Sequence, residues 1–335
     1  MIIVHYVTTP AHAASDHLQS PVARRTLGPE EAIPPGAVWI DMIEPTMDED
    51  QRVQTYLGCK IPTRADPDFA EPPEAHYAED GVRYLQASVV SEAESSRDVT
   101  DVTFVICEAT LVTVRYDGSD SFEIFGKKLC RSWGQALMPD AIALGLINTI
   151  INFSARALGK VGAGLDKIGD AVFRAEGDNS KRSALYSATL GALGREDERI
   201  SNLRESLLSI ERLLLFLSSE GRIEEKTPKP AREATKAALR DLQSLEEDAS
   251  FKAQKVQFLL DATLGFINLA QNDIIKLFSV LAVIFMPPTM IASIYGMNFK
   301  VMPELEWPFG YPAALGLMVL VAIGPYMYFR WRKWL

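Results

Sequence analysis

Two charge-free stretches near the end of the chain decide how the rest is read. They are residues 277–295, LFSVLAVIFMPPTMIASIY, and residues 307–329, WPFGYPAALGLMVLVAIGPYMYF. At about 1.5 Å of rise per helical residue, each is long enough to cross roughly 30 Å of hydrocarbon. Aromatic residues gather at their ends: Tyr295, Trp307, Tyr311, Tyr326, Tyr328, Trp331 and Trp334. Such rings settle at the membrane–water boundary. Lys276 precedes the first stretch, Arg330, Arg332 and Lys333 follow the second, and the loop 296–306 between them carries a net −1. Excess positive charge stays on the cytoplasmic side. This bias predicts two transmembrane helices with both chain termini in the cytoplasm, residues 296–306 outside, and a short basic cytoplasmic tail over 330–335.

Working outward from the spans, the charge is unevenly divided. The 335 residues carry 34 Lys and Arg against 44 Asp and Glu. Residues 271–335 are net +2, which leaves −12 on residues 1–270. An acidic domain of that kind excludes nucleic acid as a partner and suits a cationic ligand. Cys59, Cys107 and Cys130 are odd in number and far apart in sequence, without metal-ligand spacing, so neither a disulfide framework nor a structural zinc site is expected. His5, His12, His17 and His76 read as isolated surface residues.

Residues 1–135 alternate short apolar segments with turn signals. The segments are IIVHYV, AVWIDMI, VRYLQASVV and DVTFVICEATLVTVRYD, and the turns include Pro34-Pro35-Gly36, Pro72-Pro73 and Asp117-Gly118. With a helical stretch over 48–57, this predicts a cytoplasmic α/β domain. Residues 136–230 read as a helical hairpin, with helices over 141–173 and 183–218. Between Ala231 and Met286 there is no proline, and residues 231–295 are predicted to form one stalk helix about 90 Å long that runs into the first span. Along it Leu242, Leu245, Ala249, Lys252, Val256, Leu259, Thr263, Phe266 and Ala270 step by three and four, a seam for packing. Gly159-Lys160-Val161-Gly162-Ala163-Gly164 lacks the spacing of a phosphate loop and reads as small residues within a helix. No nucleophile elbow, kinase motif or HExxH occurs, so neither an enzyme activity nor an organic cofactor is expected.

The polar residues of the first span are ordered. Asn272, Ser279, Met286 and Ser293 recur every seven residues, as do Ile275, Ala282, Thr289 and Gly296 with an offset of three. Together they make one helical stripe, with Leu277, Leu281, Ile284 and Ile291 placed on other faces. Small and hydroxyl-bearing residues in a stripe suit either tight helix packing or the wall of a pore. Two spans cannot enclose a pore alone, so the second reading requires an oligomer with this helix innermost.

Directly after the span comes Tyr295-Gly296-Met297-Asn298-Phe299, followed by Met302-Pro303-Glu304-Leu305 and Gly310-Tyr311-Pro312. Here the chain resembles the CorA family of magnesium transporters, whose signature is a Gly-Met-Asn triplet at the outer end of the first of two C-terminal spans. The resemblance is detailed over 272–335, including the terminal Lys333-Trp334-Leu335, and architectural over the first 230 residues. It implies an α+β membrane protein assembled as a homopentameric funnel in the cell's inner membrane. The lipid bilayer and four further copies of the chain are then its partners. It assigns ion selection to Gly296, Met297 and Asn298, and the conduction path to Asn272, Met286, Thr289 and Ser293, which the stripe already contained. Ile275, Ser279 and Ala282 complete the lining, and Phe278 matches the family's bulky apolar inner constriction. The resemblance implies Mg²⁺ as the transported and also the regulatory ion, with Co²⁺ and Ni²⁺ as surrogates. The intact Met297 favours magnesium, since zinc-transporting relatives of the same fold tend to vary that position. Glu304 and Glu306 are either local cation attraction or solvated loop charge. For regulatory metal between subunits, Asp241, Glu246, Glu247 and Asp248 qualify by composition and Asp261 by its position near the neck. Two alternatives stand beside the magnesium transporter: a zinc transporter of the same fold, and a two-span signalling receptor.

Overall fold

The computed structural model describes residues 1–8, 21–64, 75–91, 99–132, 137–174, 179–219, 229–297, 302–303 and 307–332. Contacts divide the chain into two units. The first comprises Met1–Asp170 and Gly191–Phe258, the second Ala171–Leu190 and Leu259–Leu335.

The first unit is built on a seven-stranded mixed sheet. Its strands are β1 (Ile2–Val7), β2 (Val22–Leu27), β3 (Ala37–Ile43), β4 (His76–Glu79), β5 (Val82–Val90), β6 (Val99–Ile106) and β7 (Leu111–Arg115). They lie in the order β2-β1-β3-β7-β6-β5-β4, and β3–β7 is the parallel pair among antiparallel neighbours. Local chemistry sets the connections. Asp80 and Gly81 take positive φ of 50° and 82°, the turn geometry that suits an Asp-Gly hairpin between β4 and β5. Helix α1 (Met47–Leu57) starts at Thr46, whose side chain and that of Glu49 form a capping box, and stops at Gly58, left-handed at φ 71°. Two further helices, α2 (Asp120–Ser132) and α3 (Pro139–Phe173), follow the sheet. Then come α4 (Asn179–Ser219), α5 (Lys229–Tyr295) and α6 (Gly310–Trp331).

Alternation along the strands sends side chains to two cores. Trp39, Leu85, Val102, Phe104, Ile106 and Leu111 meet Phe122 and Phe125 of α2, Ile142 to Ile151 of α3, Leu207 to Leu217 of α4 and Leu242 at the start of α5. On the other face Ile2, Val4, Ile40, Met42, Val105, Val112 and Val114 pack with Val53 of α1 and Ile61. Strand β3 is buried on both faces and carries one charge, Asp41. Its carboxylate accepts from Arg115 Nε at 3.1 Å and Nη2 at 2.9 Å and from Thr113 Oγ1 at 2.8 Å, while Trp39 Nε1 donates to Thr113 at 3.0 Å. The parallel register sets Asp41 opposite Thr113 and Ile43 opposite Arg115. A buried ion pair persists when its remaining hydrogen-bonding groups are filled, as they are here.

One reading of the sequence needs correction. His5 is buried, stacked on the Trp39 indole with ring centroids 4.3 Å apart, rather than at the surface. His76 is half-buried, and His12 and His17 lie outside the described residues. Helix α2 closes over His5 at Gly126, where a Cβ would stand 2.9 Å from the imidazole Nε2. Burial, reinforced by the Arg24 charge, lowers the His5 pKa to about 3. The folded state therefore holds this imidazole neutral, whereas the unfolded chain takes up a proton near 6.5. Stability from this site is complete above pH 6.5 and declines as pH falls from there toward 3. Thermal unfolding of the full-length protein at pH 7 and pH 5 is expected to show a loss that His5→Phe reduces. An equal pH loss in that variant would remove His5 as a cause.

The second unit holds Ala171–Leu190 and, from Leu259 onward, the rest of α5 with α6. Phe266 stacks on Tyr186 and meets Phe173 edge-on. Among the described residues three helices are long and apolar enough to cross a membrane, but they differ in cover. The apolar window of α3 is 61% buried, so the core of the protein consumes it, whereas that of α5 is 6% buried and that of α6 not at all. Two adjacent helices with bare apolar surfaces of this length have hydrocarbon as their natural solvent. The packing seam from Leu242 to Ala270 is the covered face of α5: Leu242, Ala249, Val256, Leu259 and Thr263 are all buried.

Candidate functional site

Helix α5 continues to Tyr295 through Pro287 and Pro288. Each proline removes one helical donor, freeing the carbonyls of Val283 and Ile284 from their usual partners. Thr289 turns its hydroxyl back onto the Phe285 carbonyl at 2.7 Å. Over this stretch the helix has two unlike faces. Val280 is buried and Ile284, Pro287, Pro288, Ile291 and Tyr295 are half-buried, a single row at helical spacing. On α6 the half-buried residues Ala314, Met318, Val321, Ala322, Pro325 and Phe329 repeat the same periodicity. Matching rows are what two helices packed along one another produce. Leu277 and Leu281, placed away from the stripe by sequence, are exposed and do not belong to the covered row.

The stripe lies on the opposite, uncovered side. Asn272, Ile275, Ser279, Ala282, Met286, Thr289, Ser293 and Gly296 are all exposed, with Phe278 on its flank at 66%. Ala282, Met286, Thr289 and Ser293 line an open groove with Phe285 and Met290. The same row extends further toward the helix N-terminus through Asn268, Gly265 and Asp261, also exposed. Asn268 and Gly265 escaped the sequence reading, which began the stripe at Asn272. Continuing its three-four steps backward would have found both.

The helix ends at Gly296. Its N–H donates to the Ala292 carbonyl at 2.9 Å, and Met297 N–H to that of Ile294 at 3.2 Å. Gly296 is not among the glycines of positive φ, so no left-handed exit calls for it. Space does instead: a Cβ there would stand 3.1 Å from the Ala292 carbonyl oxygen. Asn298, Glu304 and Glu306 lie outside the described residues, while Met297 is exposed at the helix exit.

The acidic candidates do not assemble within one chain. No group of three metal-ligating side chains occurs among the described residues. Asp248 pairs with Lys252 on the same helix. Glu246 has its pKa raised, first by burial and then by Glu211, with Arg204 opposing. Asp241 and Glu247 are exposed. The glycines of the 159–164 segment sit inside α3, where Gly162 makes room for the Lys252 stem at 3.0 Å and Gly164 for the Glu196 carboxylate. Gly162 and Gly164 are packing positions, Gly159 has open space beside it, and all three lie within a helix rather than in a phosphate loop.

Two uncovered apolar helices, one of them bearing a polar stripe, suit a membrane protein, and comparison with known proteins makes the class specific. Residues 35–332 match the CorA-like Mg²⁺ transporter protein family, and the chain belongs to it. It is 34% identical over 304 residues to the magnesium transport protein CorA of Yersinia pseudotuberculosis, covering 89% of this chain and 92% of that protein. The corresponding protein of Salmonella typhimurium is 35% identical over the same coverage. The fold matches the complete structure of the CorA magnesium transporter from Methanocaldococcus jannaschii with a TM-score of 0.73, over 100% of this chain and 99% of that one, at 18% identity.

Proposed function

We propose that this protein is a channel for Mg²⁺, with Co²⁺ and Ni²⁺ as surrogates, that conducts down the electrochemical gradient across the inner membrane. In this reading five copies assemble with α5 innermost, both termini and the α+β unit in the cytoplasm. The observation that carries it is the continuous uncovered stripe from Asp261 to Gly296 on a helix whose opposite face is covered over residues 280–295. A helix packed on one side and lined with amides, hydroxyls and small residues on the other suits a wall facing water.

The chemistry fits a hydrated magnesium ion. Mg²⁺ gives up water reluctantly and prefers oxygen ligands. Neutral amides of Asn272 and Asn298 offer carbonyl oxygens to the ion's water shell without the grip of carboxylates. The C-terminal end of α5, at the outer mouth, adds the negative end of its dipole. Glu304 and Glu306 raise the local cation concentration. Inward, Ile275 and Phe278 form an apolar constriction that closes by excluding water. A membrane potential of 100 mV supplies about 2.3 kcal/mol per charge, doubled for a divalent ion, so no nucleotide is needed. Cytoplasmic Mg²⁺ bound between subunits near Asp241, Glu246, Glu247, Asp248 or Asp261 relieves repulsion among acidic chains and favours the closed state.

The test is flux in proteoliposomes of the full-length protein with a magnesium indicator inside and an imposed inside-negative potential. Mg²⁺ entry without ATP is expected. No entry, with the protein intact in the bilayer, would overturn the reading. Zinc entry without magnesium entry would transfer the chain to the zinc-transporting alternative.

A further inference from the structure

The cysteines hold a feature that transport does not use. Cys59 and Cys107 are 48 residues apart in sequence, yet their sulfurs lie 3.2 Å apart in the α+β unit. Cys59 follows Gly58, the left-handed residue that ends α1. Cys107 opens the turn between β6 and β7, where its N–H donates to the Thr110 carbonyl at 3.0 Å. Both are free thiols and half-buried. Cys107, like Leu57 and Tyr116, packs against the core cluster that includes Val53 of α1.

We propose that Cys59 and Cys107 form a peroxide-oxidisable thiol pair, a site of reversible disulfide modification that staples the end of α1 to the β6–β7 turn. At 3.2 Å the sulfurs are about one ångström from the ~2.05 Å of an S–S bond. Two neighbouring thiols also divide their roles. Burial, then the hydrogen bond with Cys59, pushes the Cys107 thiol up to about 12. Cys107 is therefore assigned the resolving role and Cys59 the first oxidation.

The step balances with hydrogen peroxide as oxidant. The Cys59 sulfur, losing its proton, takes one peroxide oxygen to become the sulfenic acid, and the other oxygen leaves as water. The Cys107 sulfur then attacks the Cys59 sulfur. The S–O bond breaks, the hydroxide departs with the Cys107 proton as a second water, and the S–S bond forms. Both sulfurs are oxidised and peroxide is reduced by two electrons. Since cytoplasmic dithiols reverse such bonds, the modification is transient. Half-burial admits a molecule of peroxide size while shielding the sulfenic acid from larger thiols.

Cys130 is the internal control, for it lies on α2 against the opposite core cluster. Full-length protein in detergent, treated with hydrogen peroxide and then alkylated under denaturing conditions, is read by mass spectrometry. Wild type is expected to drop from three alkylatable thiols to one, Cys130, with a Cys59–Cys107 crosslinked peptide that dithiothreitol abolishes. Cys130→Ser should form the same crosslink, and Cys59→Ser or Cys107→Ser none. Three thiols persisting in the wild type, a crosslink through Cys130, or one joining two chains would overturn the proposal.

Discussion

Asn298→Ala is expected to reduce Mg²⁺ uptake to the background of cells lacking the protein, while membrane insertion and assembly stay intact. In the proposed pentamer five copies of this amide ring the outer mouth. Each presents a neutral carbonyl oxygen to the ion's water shell at the point where bulk solvent is left behind. Alanine keeps the backbone but leaves methyl groups where the hydrated ion must be held, and an ion with so tightly bound a shell cannot compensate by losing water. The variant's surface and core are otherwise unchanged, so the oligomer should elute as wild type does. Uptake near the wild-type rate at equal expression would show that Asn298 does not select the ion.

Arg115→Ala carries the largest expected cost in stability. Arg115 and Asp41 are both more than nine-tenths buried, and three of the hydrogen bonds that hold the Asp41 carboxylate come from this guanidinium. Removing it strands a carboxylate at the centre of a strand covered on both faces, with Thr113 as its remaining donor. Breaking a buried pair on one side costs about 3–5 kcal/mol. Arg115 also lies over the Phe122 ring at 4.7 Å and donates to the Asp117 carbonyl at 2.7 Å, so α2 loosens with it. Equilibrium unfolding by urea should show the loss, and Asp41→Leu combined with Arg115→Met should recover much of it. A variant as stable as wild type would mean that water solvates the pair.

What could be read in advance follows from which interactions are local. The two spans were legible because length and unbroken apolarity suffice to specify them. The stripe was legible because Ser279, Met286 and Ser293 recur at a fixed interval among apolar neighbours. Strand β2 was not, because Arg24 and Arg25 occupy an edge strand with one exposed side and mask any alternation. Helix α2 was hidden similarly by its lysines and its short length. His5 misled because a single histidine has no period; only pairing of β1 with β3 reveals that it stacks on Trp39. The contact of Cys59 with Cys107 depends on where α1 packs, which no spacing encodes. At Gly296 the local backbone was not legible either. A helix end suggests left-handed backbone, whereas the constraint is the nearness of the Ala292 carbonyl.

Conduction in this reading depends on the uncovered stripe of α5 facing the ion's path, and single-cysteine accessibility tests that placement. With Cys59, Cys107 and Cys130 replaced by Ser, cysteines are placed one at a time at Ser279, Ala282, Met286, Thr289 and Ser293, and as controls at Val280, Ile284 and Ile291. Small water-soluble thiol reagents should label the stripe, where water keeps thiolate available, and leave the covered row unmodified. Mg²⁺ should slow labelling at Thr289 and Ser293 most. The prolines at 287 and 288 can shift the helical phase, so the inner positions Ser279 and Ala282 should follow the pattern most closely. Labelling spread evenly around the helix, or strongest at Ile284 and Ile291, would contradict the account and show the stripe to be a packing seam.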